Sequence, residues 1–297
     1  MMFDRGVSGV LTIVVTNDLR RTMTTHDRAI ATPPPPPGFA WRATPSGPAL
    51  VSTALEPYAA HLFTTRPWPL GSASDGDRAS AWADVGRALG VDEAHLERAH
   101  QVHGASVVVR RAGDPPRGDV PLPQADIIVS DDTAIVLAIQ TADCVPLLFA
   151  DRRTGVVAAA HAGWRGLAAR VPEVTVRALA EAFGSGPADL IVAVGPSISA
   201  ARYEVGAEVR DQFERGGFPD DQLARWFLPG TRAGHWQFDG WASARDQLAA
   251  VGVPADRIHS SDLCTAAEAG LLCSYRRDGK RAGRIAGAIR ARGVRIA

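Results

Sequence analysis

The chain has 297 residues, 46% of them hydrophobic, which is enough for one large domain or two small ones; no apolar run reaches the length of a membrane span. Its 32 Lys and Arg balance 32 Asp and Glu, so bulk charge points neither to nucleic acid nor to an anionic membrane surface. Three cysteines, Cys144, Cys264 and Cys273, are too few and too unevenly placed for a disulfide framework. They fit a reducing cytoplasm, the expected location, where a cysteine is filler, ligand or nucleophile.

The apolar stretch at 7–16 is short, follows Asp4 and lacks a small-residue cleavage pattern. Arg20-Arg21 lies on the wrong side of it for a twin-arginine signal, so no export signal is expected. Residues 1–22 are either an over-extended reading frame with Met23 as the start, or carry an extra strand over 1–19. Residues 20–47 read as linker: charged, then five prolines at 33–37, a run that favours extended polyproline II. The expected organisation is an N-terminal extension over 1–47, disordered or not native to the protein, and one catalytic domain over 48–297.

Within that domain, 49–55 and 59–65 read as strands, and 77–90 has helical spacing through Trp82, Val85 and Leu89, closed by Gly90. Strands follow over 106–110, 126–129 and 134–139, with a Pro/Gly loop over 113–123 between the first two. Two buried strands, 145–150 and 155–160, flank the polar turn 151–154. Pro172 suits the first turn of a helix that runs to Phe183 and stops at Gly184. Beyond it come a strand over 189–194, a helix over 205–215, an irregular aromatic-rich stretch over 219–234, an amphipathic helix over 239–251, and strands over 257–260 and 285–289. Strands outnumber helices without strict alternation. The expected class is therefore α/β, a single domain with mixed β-sheets and helices packed outside.

Chemistry concentrates at strand ends. Cys144 starts one strand of the 145–160 hairpin and His161 ends the other, and in an antiparallel pair those ends are neighbours. His103 precedes a third strand. One thiol and two imidazoles make a mononuclear metal site with an open position, for which zinc and copper are both suited and which spacing does not separate. A competing reading makes Cys144 a nucleophile with His103 or His161 as its base, which the neighbouring Asp143 opposes by raising the thiol pKa. Arg66, Arg165, Arg276, Arg277 and Arg284 fall in turns, where guanidinium forks suit phosphate or carboxylate, although each alone reads first as a solvated surface group. Gly195-Pro196-Ser197 is either an anion-binding turn or a plain strand-to-helix connection. Trp164 is a stacking surface or an ordinary rim aromatic.

QVHG at 101–104, QTADCVPLLFAD at 140–151, AAAHAGWRGL at 158–167, GPSISAARYEVG at 195–206, DLCT at 262–265 and SYRRDGKRAGR at 274–284 together resemble the YfiH/YlmD-like family, also called the laccase-domain or multicopper polyphenol oxidase family. The resemblance spans about 58–290. It implies a purine nucleoside phosphorylase that cleaves adenosine, inosine, guanosine or S-methyl-5′-thioadenosine with phosphate, together with adenosine deaminase activity. A copper-dependent phenol oxidase and a non-catalytic metal-binding member are the alternatives. The family's metal triad falls on His103, Cys144 and His161. In the expected mechanism Arg66 holds phosphate, Asp143 substitutes for the acid/base glutamate that zinc nucleobase deaminases carry, and Arg165 acts at the pocket wall. Gln101 and Trp164 are expected to contact substrate. Expected partners are purine nucleosides and phosphate, with no nucleic acid, membrane or obligate protein partner. The segment 67–72 departs from the family's Gly-Gly-x-Ser and is expected to line or cover the pocket.

Overall fold

In chain order, the strands β1 (Phe39–Thr44), β2 (Gly47–Ser52) and β3 (Ala59–Phe63) are followed by the helix α1 (Ala79–Ala88) and the short β4 (Leu96–Glu97). Five strands come next: β5 (Val107–Arg110), β6 (Ile127–Ser130), β7 (Val136–Thr141), β8 (Val145–Asp151) and β9 (Val157–Ala162). Helices α2 (Trp164–Ala168) and α3 (Val171–Phe183) lead to β10 (Leu190–Val194), β11 (Glu204–Gly206), α4 (Ala207–Arg215) and α5 (Asp220–Trp226). The chain closes through β12 (Phe227–Pro229), β13 (His235–Phe238), α6 (Gly240–Ala250), β14 (Ile258–Ser260), α7 (Tyr275–Asp278) and β15 (Ile285–Ala291). This computed structural model describes residues 32–71, 79–118 and 120–293; the readings made for 1–31 lie outside the described residues.

Two six-stranded mixed sheets form the centre, ordered β1-β2-β3-β15-β7-β4 and β14-β10-β8-β9-β6-β5, with a small third sheet β11-β13-β12. The period-2 alternation of β8 explains how they stack. Val145, Leu147 and Phe149 point into a core shared with Leu179 of α3, Phe213 of α4 and Leu248 of α6. Leu148 and Ala150 point the other way, against Phe63, Leu137 and Ile289 of the first sheet. The outer face of that first sheet is covered by Trp82 and Val85 of α1 and by Leu89 just after it. The layers thus run helix, sheet, sheet, helices, and buried strands with apolar residues on both faces follow from it. Gly195 permits the close approach of the two sheets, because a Cβ there would collide with the Phe63 ring. Among the described residues no helix is long and apolar enough to cross a membrane.

Three sequence readings change. Residues 39–44, taken for linker, form β1 and pair with β2 in a hairpin whose Phe39 is buried. Position 48 therefore falls inside that hairpin, and the Trp41 indole N–H donates to Pro33 O (2.8 Å), fastening part of the proline run to it. The stretch 219–234 holds α5 and β12. Its helix is only seven residues long, with Leu223 and Trp226 buried three positions apart, too little periodicity to see in sequence. In the segment after Arg66, Trp68 and Leu70 pack under α1 in the outer core, and Trp68 donates to Pro48 O (3.2 Å), so residues 67–71 serve the sheet's outer face.

Candidate metal centre and its pocket

Strand register builds the site. In the antiparallel β8–β9 pair Val145 lies opposite Ala162, which sets Cys144 and His161 side by side where the pair begins to open. The β6–β9 pairing places Ile127 opposite Ala160, so Asp126 comes to lie across from His161. The backbone N–H of His161 donates to Asp126 O (2.8 Å), and its Nδ1–H donates to Asp126 Oδ1 (2.8 Å). That leaves His161 Nε2 to face Cys144. His103 arrives from the loop before β5, at φ 60°, and the three metal-ligating atoms of His103, Cys144 and His161 lie within 4.8 Å of one another.

The electrostatics suit a thiolate. Burial alone would raise the Cys144 thiol, but the His161 and His103 imidazoles reverse this and bring it down to about 6. For His161 burial pulls down, while Cys144 and Asp126 lift it to about 9. Burial would likewise raise Asp126; its bonds to His161 and to the 102–104 amides hold it below the usual carboxylate range.

These residues fit a metal ion. One thiolate and two imidazoles are a zinc or copper donor set, and three protein ligands leave a coordination position open. The backbone of Gly163 supplies the clearance: a Cβ there would stand 2.8 Å from Cys144 Sγ and 3.1 Å from His103 Cδ2. A side chain at 163 would therefore fill the space between two ligands, which accounts for the glycine after His161-Ala162.

The triad opens into a cavity of about 530 Å³, lined also by Gln101, Asp143, Trp164, Arg165, Tyr203, Tyr275, Arg276 and Arg284. Arg165 stacks on Trp164 (4.1 Å to the ring centre) and Arg276 on Tyr203 (4.8 Å). Arg276 donates to Glu204 O, and Arg284 to the carbonyls of Ala282 and Gly283. Among the described residues none of these three guanidiniums ion-pairs with a carboxylate, although the Asp143 carboxylate lines the same cavity. A larger cavity, of about 660 Å³, lies at β4 and β5. There Arg110 and Arg117 share the buried Glu97 as ion-pair partner, which offsets part of their charge.

The expected site residues divide. His103, Cys144, His161, Trp164 and Arg165 converge on the cavity. Asp143 lines it, but Thr265 Oγ1 and Arg276 N–H each donate to one of its carboxylate oxygens (both 2.6 Å). Gln101 also lines it, while its amide exchanges two hydrogen bonds with the backbone of Gln140. Arg66 is absent from the lining and is held by Leu272 O and Asp278 (3.1 Å each). The Gly195–Ser197 turn is a plain connection: Gly195 N–H donates to Pro146 O and Ser197 N–H to Leu263 O. Sequence reasoning missed Asp126, Tyr203 and Gly163 as site residues. Asp126 lies 35 positions from His161 and only strand pairing joins them.

The family model described as multi-copper polyphenol oxidoreductase laccase matches residues 75–292. A purine nucleoside phosphorylase of Streptomyces coelicolor is 39% identical over 221 residues, covering 73% of this chain and 85% of that protein. Another, of Bacteroides thetaiotaomicron, is 36% identical over 160 residues, an alignment that spans 54% of this chain and 58% of the relative's length. The crystal structure of the hypothetical protein YfiH from Bacillus licheniformis superposes with a TM-score of 0.75 at 28% identity, over 85% of this chain and 99% of that one. With a match across most of the chain, a shared fold and the His103, Cys144 and His161 cluster at its centre, the chain belongs to the YfiH/YlmD-like, laccase-domain family.

Proposed function

We propose that the protein is a purine nucleoside phosphorylase that takes adenosine, inosine, guanosine or S-methyl-5′-thioadenosine with phosphate to the free base and ribose 1-phosphate or, from the last, methylthioribose 1-phosphate. The observation that carries this reading is the pairing of the His103–Cys144–His161 cluster with three carboxylate-free arginines in one cavity of nucleoside size. The curated relatives' name supports it. A zinc ion on the three ligands, with copper as the alternative, would supply electrophilic polarisation of substrate or water.

The chain's own residues supply the rest. Arg165, Arg276 and Arg284 hold phosphate near the anomeric carbon, a task that charge-assisted, bidentate contacts perform well and that Arg66 is too far engaged elsewhere to share. Stacking on Trp164 and Tyr203 keeps Arg165 and Arg276 in position, and the carbonyls of Ala282 and Gly283 keep Arg284. Burial pushes the Tyr203 phenol well above its ordinary value, so its Oη keeps a proton that it donates to the departing purine or the ribose. Asp143, with both oxygens already accepting, anchors the start of α7 and so sets Arg276 at the cavity wall; we assign it to positioning rather than to proton transfer. Gln101 likewise braces the Gln140 backbone. A thiolate ligand suits a reducing cytoplasm.

The described residues bring together one cluster of three or more metal-ligating side chains, a mononuclear donor set that suits this reading better than multi-copper oxidation. The test is chromatographic. Protein of known metal content is incubated with each nucleoside, with and without phosphate, beside a Cys144→Ala variant. Free base that requires phosphate, lost on the order of 10³-fold together with the metal in the variant, is the expected result. Inosine formed from adenosine without phosphate would add the deaminase activity. Oxygen uptake with a phenol and no released base would replace the proposal with the oxidase reading.

A further inference from the structure

The metal ligands come from three separate places, and a single side chain touches two of them. Asp126 is fully buried at the start of β6, and four donors converge on its carboxylate. Oδ1 accepts from His161 Nδ1–H (2.8 Å) and from the backbone N–H of His103 (3.1 Å). Oδ2 accepts from the N–H groups of Val102 (3.2 Å) and Gly104 (2.7 Å). Three consecutive amides folded around one anion form a backbone nest. The nest has a conformational cost, because His103 stands at φ 60°, in the left-handed region that disfavours a residue with a Cβ. Strain at a ligand persists only where the surroundings over-determine it.

We infer that Asp126 is the positioning residue of the centre. Its carboxylate fixes the tautomer and direction of His161 and holds the His103 loop in its strained turn, so that the two imidazoles meet the Cys144 thiolate before a metal arrives. The inference rests on the metal-dependent reading only in needing the triad to bind metal, and it holds whatever reaction the centre serves. Two features separate this from a packing role. With Nδ1–H held by a carboxylate, Nε2 is the nitrogen presented to the ion, and such an outer carboxylate raises the basicity of its imidazole. The 102–104 amides, by contrast, have no other partner among the described contacts, so without the carboxylate the loop has no reason to keep φ 60° at His103.

Asp126→Asn keeps the size of the side chain but presents one carbonyl oxygen where the carboxylate presents two, against four donors. Competition with a chromophoric chelator measures Zn²⁺ affinity in the full-length protein, and Co²⁺ substitution reports the thiolate charge-transfer band and the d–d envelope. The expected result is a Zn²⁺ affinity about 10–100-fold weaker with an altered Co²⁺ spectrum, at a far-UV circular dichroism matching wild type. A folded variant with wild-type affinity and spectrum would overturn the inference. Should the variant fail to fold, ¹⁵N NMR of histidine in the wild-type zinc protein decides instead. Nδ1 protonated and Nε2 on the metal at His161 supports the assignment, and the reverse sinks it. Because these readouts use metal alone, a protein that binds zinc as described yet releases no purine would refute the phosphorylase reading and leave Asp126 its role.

Discussion

Two cavities at the sheet margins make an instructive pair. The one at β4 and β5 is the larger and holds Arg110 and Arg117, but both guanidiniums are tied by ion pairs to Glu97, itself only 4% exposed. The triad cavity is smaller, and its Arg165, Arg276 and Arg284 are held by rings and carbonyls that leave their charge intact. A ring face or a carbonyl orients a guanidinium without cancelling its field, whereas a carboxylate does both. Volume therefore does not single out the candidate site. Guanidiniums without a carboxylate partner beside a set of metal-ligating donors do.

The comparison can be broken most forcefully at the ligands. Gly163→Ala places a Cβ 2.8 Å from Cys144 Sγ, so ligand positions must shift; loss of zinc affinity by on the order of 10²-fold, read by chelator competition, is expected with little change in circular dichroism. Unchanged affinity would mean the three donors do not act as one centre. Next come matched substitutions in the two cavities. Arg276→Gln should raise the KM for phosphate about 10-fold or more at nearly constant melting temperature. Arg117→Gln should leave phosphate kinetics alone and cost about 2 kcal/mol in denaturant unfolding, because Glu97 loses one of its two partners. The opposite pattern would invert the assignment of the cavities.

The smallest effect lies away from both. His61 is buried between β2 and β3, where its Nε2 accepts from Ser52 N–H (2.9 Å) and Nδ1–H donates to Ala59 O (3.2 Å), an arrangement only the neutral ring can make. Burial lowers its pKa to about 4. The unfolded chain, titrating near 6.5, binds the proton first, so stability falls as pH drops from 6.5 towards 4. About 1 kcal/mol should be lost from this group between pH 7 and 5.5, a loss that His61→Gln should diminish in urea titrations.

Much of this was legible in the chain. Val145, Leu147 and Phe149 alternating with Leu148 and Ala150 already announce a strand buried on both faces, and the Cys144 and His161 positions at the two ends of a hairpin already imply contact. Other parts left no local mark. β1 follows a proline run whose composition masks it, and α5 is too short to show a period. Arg66 looked like an anion ligand because a turn arginine looks the same whether it faces a substrate or, as here, Asp278.

What the sequence determined by itself is whatever depends on neighbours in the chain: strand and helix periods, the turn between β8 and β9, and the residue types able to hold a metal. What only the tertiary structure decided is which distant groups meet. Asp126 reaches His161 through strand pairing, Asp143 is engaged by Thr265 and Arg276 from more than a hundred residues away, and Glu97 ion-pairs with both Arg110 and Arg117. The physical reason is that hydrogen bonds and charge compensation act over a few ångströms of space, and spacing along a chain carries no record of them until the sheets are assembled.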